Sequence, residues 1–259
     1  PSFATTARSI ALGGTMTSMA DDASTAFWNP SGLPLLQRQE VAFSYADRFG
    51  LGIKSSYAAY VFPMFERHAI GLTWLRESFG DDELTDAFNL VSLSYGFQLH
   101  RALSVGIGLK TAFQSIDLDG ESLRSASGTG ADVGIVFAPK GSGFGRFKFG
   151  LTLQDIGGTK LTDNTTQFEE EILEQTVRGG ISAQVHQDFT LGVDIDNNDL
   201  HVGAEYQPLA ALVLRGGLNR PFDPPSDADK TLAFALGFGL KWSSAQLDYA
   251  FEHHPVLPA

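Results

Sequence analysis

The chain has 259 residues, a hydrophobic fraction of 43%, no cysteine and a formal net charge of -12. The missing cysteines exclude disulfides, thiolate metal centres and thiol nucleophiles, and the acidic balance argues against nucleic acid, whose phosphates call for basic patches. The longest strictly apolar run, Leu209 to Leu214, is far short of the roughly 18 residues a membrane-spanning helix needs.

Residues 1–38 show no two-residue alternation. Short helical pieces fit them better: Asp22 is placed to cap a helix over Ala23 to Trp28, and Pro30 stops it. No basic stretch followed by an apolar one opens the chain, so an export signal is expected to have been removed.

From residue 39 onward the pattern changes to strand after strand with a period of two, which puts successive side chains on opposite faces. Leu232, Phe234, Leu236, Phe238, Leu240 and Trp242 share one face, with Ala233, Ala235, Gly237, Gly239 and Lys241 between them. The same split recurs at Leu103 to Lys110, Phe147 to Gln154, Val177 to Val185 and Phe189 to Ile195. A soluble sandwich would fill its polar face with charged and β-branched residues. Here that face is rich in Gly, Ala and Ser with scattered charges, which fits a lumen partly filled by another segment of chain. The expectation is therefore an all-β protein, a transmembrane antiparallel β-barrel over residues 39–259 with residues 1–38 as a hatch in its lumen. A mean hydropathy of -0.03 is no objection, since barrel strands average their two faces.

Strands are expected at 39–48, 53–62, 68–76, 88–99, 102–114, 129–138, 146–155, 176–186, 188–196, 200–207, 210–218, 231–242 and 245–252. These are thirteen, and bacterial single-chain barrels have even numbers, so a fourteenth strand is expected after Ala259. The joins after the second, fourth, eighth, tenth and twelfth strands are brief, as periplasmic turns are. Segments 77–86, 115–128, 157–175 and 219–230 read as long outer loops. They carry 16 acidic and 4 basic residues, and 16 minus 4 equals the excess of the whole chain. This acidic rim keeps the loops solvated; a sharper reading gives it divalent cations that bridge to lipid headgroups or a partner.

The stretch from Ala7 to Gly14, followed by Ala20 to Leu33 with Asp21, Asp22, Trp28, Asn29 and Pro30, resembles the start of the PorV/PorQ group of outer-membrane proteins, relatives of the fatty-acid transporter family of FadL. His201 to Tyr206, Leu214 to Asn219 and Leu247 to Phe251 resemble the same group. The resemblance implies a fourteen-stranded barrel in the bacterial outer membrane with an N-terminal hatch. The hatch motif would comprise Arg8, Gly13, Gly14, Asp21, Asp22, Trp28, Asn29 and Pro30.

On the polar face of the strands, Lys110, Asp132, Lys148, Arg178, Asp194, Glu205, Arg215, Lys241 and Asp248 would point into the lumen. Isolated charges away from water are costly, so these should pair across strands and with Asp21, Asp22 and Asn29 of the hatch, although a permeation role stands beside this. The run Asp194-Ile195-Asp196-Asn197-Asn198-Asp199 has the alternating carboxylates of a calcium loop but lacks its Gly and terminal Glu, and reads better as a polar hairpin turn. His253-His254 has no third ligand at a suitable spacing. No G-x-S-x-G elbow occurs. No cofactor, metal site or enzymatic activity is expected.

Two functional readings remain. The first is a PorV-like accessory barrel that docks envelope or secreted proteins in a type IX-like assembly, favoured by the opening motif and by a lumen that reads as Gly, Ala, Ser and charge. The alternative is a FadL-like channel for fatty acids or other hydrophobic small molecules, which requires an apolar compartment lined by Phe or Leu beside the hatch. Outer-membrane lipid is the expected surrounding in both.

Overall fold

The computed structural model describes residues 5–48, 52–80, 84–119, 121–139, 146–163, 166, 168–223 and 232–253. Fifteen strands among these residues form one antiparallel sheet. They are β1 (Glu40–Arg48), β2 (Ile53–Met64), β3 (His68–Gly80), β4 (Leu84–His100), β5 (Leu103–Leu118), β6 (Glu121–Phe137), β7 (Phe147–Gln154), β8 (Thr159–Asp163), β9 (Glu169–Leu173), β10 (Thr176–His186), β11 (Phe189–Ile195), β12 (Asp199–Leu209), β13 (Leu212–Pro221), β14 (Ala233–Trp242) and β15 (Ala245–His253). Neighbours in sequence pair throughout, except that β7 pairs with β10 while β8 and β9 form a hairpin that joins the upper part of β6.

The fold is that of a transmembrane antiparallel β-barrel. Its outward side chains, such as Phe43, Leu72, Trp74, Leu93, Ile107, Leu109, Leu151, Leu236, Phe238 and Tyr249, are all exposed, as a lipid-facing band requires. Its inward ones, among them Ser92, Ser94, Ser104, Thr152 and Ser182, are buried. Among the described residues β1 and β15 have no pairing with each other, so the sheet is not closed.

Several strands run longer than the alternation suggests. Segments 77–86 and 115–128 are not long loops: β3 reaches Gly80, β4 begins at Leu84, β5 reaches Leu118 and β6 begins at Glu121. Polar residues in these extensions broke the apolar pattern, yet the backbone ladder continues through pairs such as Phe79 with Asp86 and Asp117 with Ser122. Segment 157–175 likewise contains β8 and β9. Asp81, Asp82, Glu83, Asp227, Asp229, Lys230 and His254 lie outside the described residues.

Residues 5–36 fill the inside of the sheet. Thr6 caps the first helix, α1 (Ala7–Ala11), in a reciprocal pair with Ser9, and the second, α2, spans Thr25–Trp28. It starts two residues later than expected, because the Asp22 carboxylate accepts the Ser24 N–H at 2.8 Å and forms a turn there instead. Asn29 then caps a 3-10 turn over Pro30–Leu35 by accepting the Ser31 N–H at 3.2 Å. α1 packs on β13, β14 and β15, whereas the 3-10 turn packs on β2 to β6.

Candidate functional site: the interface between the N-terminal segment and the wall

Glycine makes the close fit possible. Each of ten wall strands turns one glycine toward the N-terminal segment, and several are direct partners across the sheet: Gly96 with Gly106, Gly106 with Gly134, Gly150 with Gly180, and Gly192 with Gly203 and then Gly217. A methyl group at Gly71 or Gly237 would stand 2.6 Å from the Cβ of Ala26 or Ala11, one at Gly203 would stand 2.8 Å from the Leu12 carbonyl, and one at Gly106 or Gly217 would overlap the backbone at Pro30 or Gly13. Inside the segment, Gly13 and Gly14 take left-handed φ angles of 61° and 83° that end α1, a conformation glycine adopts at least cost.

Charge locks the segment on the β7 and β10 to β15 side. Buried Arg8 donates to Asp21 at 2.7 Å, to Asp22 at 2.9 Å and to Glu205 at 3.0 Å. Glu205 also accepts from Arg215 at 2.7 Å, and Arg215 reaches Asp248 at 2.6 Å. Lys148 approaches Asp21 at 3.5 Å. Partial desolvation would raise the pKa of the half-exposed Asp21 carboxyl, but the Arg8 guanidinium and the Lys148 ammonium outweigh it and bring it down to about 2. Lys241 donates to Gln207 at 3.2 Å.

Asp194 sits under the backbone of the segment, with one oxygen accepting the N–H groups of Met16 and Thr17 at 2.8 and 2.7 Å. Arg178 donates to the Gly14 carbonyl at 2.9 Å, lies 5.1 Å from the Trp28 ring centroid and pairs closely with Asp196. Trp28 Nε1 donates to Thr5 at 2.9 Å, and Asn29 Nδ2 donates to the Thr17 carbonyl at 2.9 Å. Lys110 is set apart from this group: it pairs with Asp132 at 2.8 Å and Asp155 at 3.0 Å.

Two residues to which sequence reasoning gave no role belong to the network. His201 contacts the Gly13 carbonyl at 2.7 Å and Asp196 at 3.0 Å, and Asp155 completes the Lys110 pair. Asp196, Asp199 and His201 bring potential ligand atoms within 4.8 Å of one another. The Asp196 carboxylate is already engaged by Arg178, by His201 and by the N–H groups of Asn198 and Asp199. Burial would raise its pKa, but His201, Arg178 and the backbone donors hold it well below the usual carboxylate range. The arrangement is a hydrogen-bonded turn.

The other half of the lumen is apolar, contrary to the expectation of Gly, Ala, Ser and charge. Leu33, the wall residues Tyr57, Leu75 and Leu90, and Leu161 and Leu173 of the β8–β9 hairpin belong to one buried cluster, with the partly buried Phe27 and Phe88 packed against it. Leu161 and Leu173 lie in a segment read as a loop, and Phe88 at the start of an expected strand. Their inward direction could not be read from alternation.

No family model and no curated protein matches the chain. Solved structures do share its fold. The monoaromatic hydrocarbon channel CymD superposes with a TM-score of 0.70 at 15% identity, covering 97% of this chain and 94% of its own. The Pseudomonas putida toluene transporter TodX gives 0.69 at 13% identity, covering 97% and 92%. A Pseudomonas aeruginosa FadL homologue gives 0.65 at 12%, covering 96% and 89%. Structural neighbours of this chain are thus FadL-family hydrocarbon channels.

Proposed function

We propose that this chain is a bacterial outer-membrane channel for the uptake of small hydrophobic molecules, with residues 1–38 acting as its hatch. The carrying observation is the apolar cluster that Phe27 and Leu33 of the hatch form with Tyr57, Phe88 and Leu90 of the wall. Such a cluster offers a desolvated molecule the burial it loses on leaving the lipid, worth roughly 25 cal/mol per Å², and the polar Arg8 and Asp194 contacts opposite give the hatch its seat. The fold shared with hydrocarbon channels supports the same reading. The docking alternative drew on a lumen without apolar lining, a premise the cluster removes. No catalytic step is assigned.

The test is entry of radiolabelled toluene into liposomes carrying the purified chain. Protein-dependent entry that falls when Leu90 is replaced by Asp, in a variant that keeps its heat-resistant gel mobility, supports uptake. Equal entry with and without the protein refutes it.

A further inference from the structure

Leu161 and Leu173 are fully buried in the upper lumen, and a register offset puts them there. Val133 of β6 pairs with Leu153 of β7, and Ser127 of β6 pairs with Thr162 of β8. From the first pair to the second, β6 advances 133 minus 127, or six residues, while the opposite chain advances 162 minus 153, or nine. The three surplus residues are taken up at a step where Asp155, Gly157 and Gly158 have φ of 52°, 79° and 77°. Because side chains alternate, an odd surplus reverses the face that β8 turns inward. Straight continuation would set Leu161 opposite outward-facing Ser125.

The step also carries β8 across the inner face of β6, with the Lys160 carbonyl against Gly128. Outside, it leaves a notch of about 520 Å³ bordered by Phe113, Thr129 and Gly157. Among the described residues, two ladder pairs, at Ala126 and Ser127, join β8 to β6. Ionic pins add to the two buried leucines: Arg124 reaches Glu170 at 3.0 Å and Asp163 at 3.5 Å.

We propose that the β8–β9 hairpin is a removable stopper of the upper lumen, and that a small apolar molecule takes the volume of Leu161 and Leu173 when it withdraws. The apolar surroundings of the two leucines set the ligand class, the open step at Gly157 gives the hinge, and Arg124 adds to the holding strength. This rests on the uptake reading for its ligand, but not for its motion.

The chain has no cysteine, so introduced thiols report cleanly. In the folded full chain, Leu161→Cys should react with a water-soluble maleimide about fivefold faster when Arg124 is replaced by Ala, while Leu12→Cys in the hatch keeps its rate. An unmoved Leu161→Cys rate, or one that rises in step with Leu12→Cys, overturns the stopper. Separately, oxidising the cross-strand pair Ser127→Cys/Thr162→Cys should cut toluene entry into liposomes at least about fivefold, reversed by reductant. Entry unaffected by oxidation overturns the stopper and leaves the channel standing. If toluene enters with no form of the protein, the uptake reading falls and the labelling rates alone decide the stopper.

Discussion

Arg48 at the end of β1 and Glu252 near the end of β15 approach to 3.8 Å, joining the two unpaired edges of the sheet at one end. Both strands run in the same direction, since each follows an even number of antiparallel reversals from the other. One further antiparallel strand between them would complete an alternating wall and cover edges whose open backbone groups are costly in hydrocarbon. With both side chains only partly buried and 3.8 Å between them, a double-mutant cycle of Arg48→Ala and Glu252→Gln should show a coupling below about 1 kcal/mol, measured by urea titration of the folded band. A coupling of zero would mean that this ion pair does not hold the two edges together.

The glycine belt predicts a sharp contrast between faces. Gly217→Ala drives a methyl into Gly13, and overpacking of this kind costs about 1–3 kcal/mol. Gly179→Ala, whose methyl would meet only Leu151 at 3.9 Å, should leave stability within about 0.5 kcal/mol of the parent. Limited proteolysis of residues 5–38 reads the difference, with faster cleavage in the first variant only.

Arg8→Ala removes the shared partner of three carboxylates. Breaking a buried pair costs about 3–5 kcal/mol, and the partial exposure of Asp21 and Asp22 puts the expected loss at or below the lower end. Liposomes carrying this variant should leak small polar solutes that the parent retains. Arg8→Lys should restore only part of the seal, because a point charge cannot match the guanidinium fork.

Acid should unseat the N-terminal segment in a defined window. Asp21 has its pKa lowered from 3.8 to about 2, so its contribution is present above pH 3.8 and disappears as pH falls through 2. Protease protection of residues 5–38 should decline across that window, and Asp21→Asn should weaken protection at neutral pH while flattening the decline. An unchanged acid profile in Asp21→Asn would assign the transition to other carboxylates.

Lys110→Met leaves Asp132 and Asp155 facing each other without their cation, in a setting where all three side chains are nearly buried. We expect about 3 kcal/mol or more of destabilisation, and recovery of much of it when Asp132→Asn is added. Thermal gel-mobility shifts of the single and double variants measure both.

The sequence carried the wall well where one face meets lipid, because alternation such as that from Leu232 to Trp242 has a single physical cause. It failed where strands rise beyond the lipid. There Asp86, Asp117 and Arg124 satisfy the backbone ladder without supplying any contrast between faces. The charges pointing inward could be found by the same parity, but their partners could not: Arg8 meets Glu205 across 197 positions, and no local spacing encodes that. The three-residue offset at Asp155 escaped for a related reason, since an odd insertion turns Leu161 inward while leaving the composition of the segment looping and acidic.

The belt of glycines also bears on the order of assembly. An N-terminal segment gripped from ten strands at once, with its backbone lying where wall side chains would stand, has no clearance for sliding into a finished cylinder. Residues 5–36 must therefore already be inside when the last strands come together, so that the wall is wrapped on its own contents as a hoop is wrapped on a former.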